Sequence, residues 1–178
     1  RAVEAGCWVV DNSSHFRLDP QVPLVVPEVN PEALRGLEHG GLVANPNCST
    51  IQMVAALKPL ADTAGLAHVN VATYQAVSGS GHEGVEELAG QTRGLFNQQP
   101  VEPAVYPRTI AFNCLPHIDA FQDNGYTGEE MKMIRETQKI LGDPDLGVNA
   151  TTVRVPVFYG HSEVVTVETE RPLSADEA

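Results

Sequence analysis

Basic residues are scarce in this chain of 178 residues: 11 Lys and Arg stand against 23 Asp and Glu, a formal net charge of −12. With no basic cluster, the chain has no cationic face for neutralising nucleic-acid phosphates, so a nucleic-acid partner is excluded. The acidic field also disfavours long-range steering of anionic metabolites. An anionic ligand must therefore be held by a few local cations, and each Arg or Lys within a motif carries more information. Cysteine is equally sparse. Cys7, Cys48 and Cys114 are odd in number and lack framework spacing, which argues against a secreted disulfide scaffold and for a reducing cytoplasm. No apolar run approaches the roughly 18 residues of a membrane span, and no targeting segment is visible. The histidines at 15, 39, 68, 82, 117 and 161 are scattered without ligand spacing, so no metal is expected. No G-x-G-x-x-G fingerprint occurs anywhere.

What is present begins with Cys48. It sits in Asn45-Pro46-Asn47-Cys48-Ser49-Thr50, just ahead of an apolar stretch with helical spacing (Ile51, Val54, Ala55). Asn47 is a good N-cap, and the exposed amides of a first helical turn favour negative charge. A cysteine placed there has its thiol pKa drawn down, and the thiolate is the nucleophile. The competing reading is a small buried hydrophobe.

Before Cys48, short apolar runs (Cys7 to Val10, Leu24 to Val26, Leu42 to Ala44) punctuated by Pro and Asn suit parallel strands buried on both faces. Arg1 to Gly6 reads as the end of a helix feeding a strand, and Ser174 as an N-cap opening another. Both termini look cut, as in a piece of a longer protein. A helix is expected from about Ser49, ended or kinked by Pro59. Leu66 to Val77 reads as a strand with Val69, Val71, Gln75 and Val77 on one face. After Ser78-Gly79-Ser80-Gly81 comes a helix whose stripe of Val85, Leu88, Ala89, Thr92, Leu95 and Phe96 reads as core packing. A Pro-rich connection follows, then a strand near Ile110 to Asn113. A helix over about Thr127 to Leu141 is closed by Gly142. Strands over Ala150 to Phe158 and Glu163 to Glu168 are joined by Tyr159-Gly160-His161. The order is α/β first, then a mixed α+β layer.

His161, in a tight Gly turn, is the candidate general base. Arg154 stands opposite Val153, Val155 and Val157 in a strand, suited to bidentate capture of a carboxylate or to an ordinary solvent-facing position. On spacing alone, Glu129 and Lys132 form an i, i+3 surface pair contributing ~0.3 kcal/mol, and Arg17 is unremarkable. The Ser78 to Gly81 turn lies between strand and helix, where backbone amides can meet an anion or a cofactor.

Taken together, these motifs resemble aspartate-β-semialdehyde dehydrogenase. Val10-Asp11-Asn12-Ser13-Ser14, Asn45 to Thr50, Tyr74-Gln75-Ala76-Val77-Ser78-Gly79, Gly125-Tyr126-Thr127 with Glu129-Glu130-Met131-Lys132 and Glu136 to Leu141, then Arg154-Val155-Pro156-Val157 through Gly160-His161-Ser162, occur in that family's order across nearly the whole chain. The related N-acetyl-γ-glutamyl-phosphate reductases carry Gly-Cys-Tyr-Pro-Thr around their cysteine, which this chain lacks. The resemblance implies a remnant of a Rossmann-type parallel sheet over residues 1–47. An α+β mixed-sheet catalytic and dimerisation domain like the C-terminal domain of glyceraldehyde-3-phosphate dehydrogenase would cover 48–178.

It also implies NADP as cofactor, a homodimer, and the reversible conversion of L-aspartyl-4-phosphate to aspartate semialdehyde with release of inorganic phosphate. Cys48 would be the acyl-thioester nucleophile, His161 the acid/base, and Gln75 an orienting residue. Arg154 and Glu129 would hold the substrate's carboxylate and amino ends, and Lys132, Arg17 and Asn47 the phosphate. Ser78, Gly79, Ser80, Gly81 and His82 would lie against the nicotinamide. The family's Gly-rich phosphate turn is absent, so the 178 residues alone are expected to be inactive and to bind NADP weakly. The alternatives are a catalytically silent paralogue or dimerisation module of this fold, and a Cys–His hydrolase or acyl transferase.

Overall fold

Apolar residues at Trp8–Asp11 and Gly41–Ala44 form strands β1 and β2, which pair in parallel with Trp8 opposite Gly41 and Asp11 opposite Ala44. The computed structural model describes residues 1–37 and 40–178; His39, one of the scattered histidines, lies outside the described residues. A single 3-10 turn over Val3–Ala5, closed by Gly6 at φ 77°, feeds β1 as expected. Leu24 contributes only one parallel bridge, to Ala44, rather than a strand over 24–26. Pro23 and Pro27 bracket it and have no N–H to give to a ladder. Pairing is limited to Val25 N–H on the Ala44 carbonyl (3.2 Å) and Ala44 N–H on that of Pro23 (2.9 Å).

Helix α1 (Cys48–Ala64) buries Met53, Val54 and Leu57 and runs through Pro59 instead of ending there. Proline costs a helix its i−4 hydrogen bond, but Ala55, which loses its partner, is on the solvent side of α1, as is Pro59.

Strands β3 (His68–Gln75), β4 (Gly147–Arg154) and β5 (Ser162–Glu168) form a sheet in the order β4-β3-β5. Val69, Val71, Thr73 and Gln75 share the buried face of β3, the period of two that its sequence carries. β3 stops at Gln75, and Val77–Ser80 form a 3-10 turn. β4 likewise stops at Arg154, four residues short of the expected end, because Pro156 cannot donate. The 155–158 segment still pairs locally: Val155 N–H reaches the Gln75 carbonyl, and the carbonyls of Val157 and Phe158 accept from Val77 and Ser78.

Helix α2 (Gly81–Phe96) departs most from its sequence pattern. Its buried side is Gly84, Leu88, Gln91 and Gly94, while Leu95 and Phe96, read as core, are exposed. The glycines decide the rotation. A Cβ at Gly84 would lie 2.6 Å from the Tyr106 hydroxyl, and one at Gly94 would lie 2.6 Å from Val101, so α2 presses its bare side against the 101–106 connection. The strand expected near 110–113 is a turn instead. Ile110 and Ala111 give their N–H groups to Gln91 Oε1 (2.9 and 3.1 Å), which leaves no ladder to join. Val77, Leu88, Ile110, Ala111 and Leu115 form the core there.

Helix α3 (Gly128–Leu141) opens with a capping box: Glu130 Oε2 accepts the Thr127 N–H (2.7 Å), and Thr127 Oγ1 accepts that of Glu130 (3.3 Å). Gly142, at φ 71°, follows its end. The chain divides into two compact units, Arg1–Asn70 with Lys132–Asn149 and Val165–Ala178, and Val71–Met131 with Ala150–Val164. In the first, Val22, Leu24, Val26, Val29, Ala44, Val54 and Ile140 form the core. The fold is α/β, a small parallel sheet followed by an α+β arrangement, as the sequence indicated.

Candidate active site

In the first unit the site is organised around the start of α1. Asn47 is extended (φ −61°, ψ 143°), and its Oδ1 accepts the N–H groups of Ser49 (3.0 Å) and Thr50 (3.3 Å). These are the donors a helix start leaves open. Cys48 is thereby the first residue of α1, and it is exposed, which overturns the buried-hydrophobe alternative. The N–H of Asn47 itself goes to Glu136 Oε2 at 2.6 Å. Glu136 Oε1 accepts from Arg17 Nη1 at 3.1 Å, and Arg17 Nη2 donates to the Asn12 carbonyl at 3.3 Å. Arg17 is 8% and Glu136 1% exposed, so neither is a surface charge.

The Arg17 Nε has no partner among the described residues, which leaves one guanidinium N–H for an incoming oxygen. Three residues along α3 from Glu136, Lys139 Nζ donates to the carbonyls of Arg17, Asp19 and Val22 (2.7–2.8 Å). Burial pushes the Lys139 ammonium below its usual pKa, and the Asp19 charge partly opposes this. Lys132, half-buried, precedes Glu136 by one turn of the same helix.

The second unit gathers the residues expected to move a proton and to hold a carboxylate. His161 Nδ1 accepts the N–H of Ala76 at 3.0 Å, while Arg154 Nη1 donates to the Ala76 carbonyl at 2.8 Å. One residue with no functional side chain thus fixes both. Because Nδ1 is an acceptor, the neutral ring carries its proton on Nε2. Burial first, then the Arg154 charge, lowers the His161 pKa, and Glu129 partly restores it, so the ring is neutral near pH 7. Arg154 is 6% exposed, not the solvent-facing charge its strand alternation allowed. Glu129 is also buried (6%) rather than on the surface, and its Oε1 accepts from Gln75 Nε2 at 3.2 Å.

The Ser78–Gly81 turn differs from expectation in one respect. The amides of Ser78, Gly79 and Gly81 are bonded to the carbonyls of Phe158, Ala76 and Ser78, so those three amides do not form an anion cradle. Gly79 itself packs against the site, and a Cβ there would lie 2.8 Å from Arg154 Nη1 and 3.2 Å from His161 Nε2. His82 is exposed in the first turn of α2. A pocket of about 430 Å³, lined in part by Ser80, Tyr106, His117, Asp119 and Arg154, opens beside the arginine. A larger one, about 610 Å³, lies along α2 among Glu83, Glu86 and Glu87 and contains none of the expected site residues.

Of the expected residues, Arg17, Asn47 and Cys48 are brought together in the first unit, which also holds Lys132. Gln75, Glu129, Gly79, Arg154 and His161 are brought together in the second. Two residues went unassigned in the sequence. Ala76 left no signal, because its contribution is entirely backbone. Glu136 did leave one: with Glu129, Met133, Thr137 and Ile140 it occupies the buried stripe of α3, where an acidic residue needs a partner. Among the described residues, no group of three or more His, Cys, Asp or Glu could hold a metal ion, and no helix is long and apolar enough to cross a membrane.

Two family models match the chain. Residues 57–178 match "Semialdehyde dehydrogenase, dimerisation domain", and residues 1–37 match "Semialdehyde dehydrogenase, NAD binding domain". The aspartate-semialdehyde dehydrogenase of Shewanella sp. (strain DB6705) is 59% identical over 176 residues, covering 99% of this chain and 52% of that protein. The crystal structure of aspartate semialdehyde dehydrogenase II complexed with ASA from Vibrio cholerae superposes with a TM-score of 0.96 at 59% identity, over 98% of this chain and 52% of that one. The aspartate semialdehyde dehydrogenase with NADP from Candida albicans gives 0.71 at 30% identity, over 97% and 47%. The chain spans about half the length of the curated relatives it matches.

Proposed function

The chain belongs to the semialdehyde dehydrogenase family, and from that membership we propose that it serves the reductive dephosphorylation of L-aspartyl-4-phosphate to L-aspartate-4-semialdehyde. The reaction is reversible, uses NADP, and belongs to lysine, methionine and threonine biosynthesis in the cytoplasm. Residues 1–47 complete the nucleotide-binding domain, and 48–178 belong to the catalytic domain through which two copies associate. The observation that carries this reading is the exposed Cys48 at the capped start of α1, adjoining an Asn47 that Glu136 ties to a buried arginine. The 59% identity to an aspartate-semialdehyde dehydrogenase supports the choice of substrate.

In the biosynthetic direction, the Cys48 thiolate attacks the β-acyl carbon, a C–S bond forms, and the C–O bond to phosphate breaks. Arg17 and Lys132, the local cations that an acidic protein needs for such a ligand, hold the departing phosphate together with the Asn47 side chain. Arg154 forks the substrate carboxylate, Glu129 takes the amino group, and Gln75, held by Glu129, orients the acyl oxygen. His161 shares its Nε2 proton with the oxygen of the Cys48-linked adduct and takes it back as the C–S bond breaks, releasing the semialdehyde and the Cys48 thiolate. The same steps run backwards in the reverse direction. The hydrogen-bonded amides of 78, 79 and 81 make that turn a poor phosphate cradle, but the turn would suit the flat ring of a nicotinamide, uncharged in its reduced form, with open space beside Gly81. What the nicotinamide supplies when bound is hydride transfer to or from the Cys48-linked carbon.

The test is NADPH formation from aspartate semialdehyde, with and without inorganic phosphate, on the polypeptide carried to the length of its relatives. Phosphate-dependent NADPH formation is expected, and Cys48→Ala abolishes it while leaving the fold intact. NADPH formation indifferent to phosphate, or near-normal turnover by Cys48→Ala, overturns the acyl-phosphate mechanism.

A further inference from the structure

Glu136 is a buried carboxylate that no step of this chemistry uses. It lies on the core stripe of α3 between Met133 and Ile140, where an unpaired carboxylate is costly. Both of its oxygens are engaged: Oε1 by Arg17 Nη1 at 3.1 Å and Oε2 by the Asn47 N–H at 2.6 Å. Arg17 and Asn47 are two of the three residues assigned to phosphate, and Asn47 caps the helix that begins at Cys48. A carboxylate repels phosphate, so Glu136 does not bind it directly. What its two oxygens do is hold a guanidinium and the peptide ahead of the nucleophile in one fixed relation. The loop bearing Arg17 is gripped a second time from the same helix, where Lys139 bonds three of its carbonyls.

We infer that Glu136 is a positioning residue that sets the phosphate-binding geometry of Arg17 and Asn47 next to Cys48; the inference rests on the dehydrogenase reading above. Charge alone would be satisfied by any nearby carboxylate. Simultaneous engagement of a side chain and a backbone N–H requires this one, with its length and its angle.

The experiment measures phosphate-dependent NADPH formation by the full-length enzyme and its Glu136→Gln and Glu136→Asp variants. Glu136→Gln keeps the shape but turns one oxygen into an N–H donor facing another donor. It is expected to raise the KM for phosphate by ~tenfold or more, with kcat and the KM for semialdehyde each changing by less than ~threefold. Glu136→Asp keeps the charge but is one methylene short, and its effect has the same direction and is smaller. Because Glu136 acts through Arg17, adding Glu136→Gln to Arg17→Ala raises the phosphate KM by much less than the product of the single effects.

An unchanged phosphate KM in Glu136→Gln, or fully multiplicative effects with Arg17→Ala, overturns the inference. Failure of both Glu136 variants to fold overturns it as well, because the residue is then a core element only. Absence of phosphate-dependent turnover in the wild-type enzyme is a different result: it removes the dehydrogenase reading and the inference with it.

Discussion

The two buried arginines are anchored differently. Arg17, in the first unit, has one nitrogen on a side chain, the Glu136 carboxylate, which also takes the Asn47 N–H, and a second on the Asn12 carbonyl at a longer distance. Arg154, in the second, has a nitrogen fixed by main chain, and the Ala76 residue that accepts from it also donates to His161. A side-chain anchor can be removed by one substitution, whereas a backbone anchor survives almost any change at its own position. The region around Cys48 therefore depends on the identity of Glu136, and the region around His161 on the conformation of residues 75–79.

The sharpest way to break this contrast is at position 76. Ala76 has φ −65°, a value proline adopts without strain, so Ala76→Pro removes the N–H to His161 and puts a ring carbon in its place. Acid–base catalysis contributes about 10²–10⁴-fold, and we expect kcat to fall ~100-fold with the circular dichroism spectrum unchanged. Ala76→Gly keeps both backbone bonds and should stay within about threefold of wild type; a comparable loss in both variants would show that the methyl group, not the N–H, holds the histidine.

Arg154→Lys comes next. A single ammonium cannot both reach the Ala76 carbonyl and fork a carboxylate, so steady-state kinetics should show the semialdehyde KM raised by about tenfold, ~1.4 kcal/mol of lost binding, with a smaller change in kcat.

Proton NMR of the His161 ring sharpens the electrostatic side of the comparison. Burial and Arg154 both lower its pKa, so the midpoint should lie below 6.5, move lower still in Glu129→Gln, and rise in Arg154→Gln. The sign for stability follows from the unfolded chain binding that proton more readily than the folded one. This residue's contribution is intact above about pH 6.5 and is lost as pH falls from there through the folded pKa. A midpoint above 6.5 would mean that Glu129 dominates.

The last effect belongs to the first unit and is read in stability, not turnover. Lys139→Met leaves the carbonyls of Arg17, Asp19 and Val22 without their shared donor and should cost about 2 kcal/mol in denaturant unfolding, within the range for hydrogen bonds to charged groups.

This contrast also explains what the sequence could convey. Asn47 and Cys48 were legible because capping is local: the acceptor, its two donors and the cysteine lie within four residues. Arg154 and His161 were legible as residue types, but their burial was not, since alternation in β4 cannot say which face the rest of the chain covers. The rotation of α2 was missed because its apolar stripe pointed one way while Gly84 and Gly94 permitted a closer approach on another face. The strand expected at 110–113 failed for a related reason: Gln91, distant in sequence, takes the two N–H groups a ladder would need. Ala76 lay beyond reach, because main-chain groups are the same at every residue type but proline.

Gly79 has a consequence for anyone diversifying this protein. With a Cβ held 2.8 Å from Arg154 and 3.2 Å from His161, even alanine would displace two functional groups at once. A saturation library at position 79, screened for turnover, should return a single amino acid, and that codon can be left out of any directed-evolution pool.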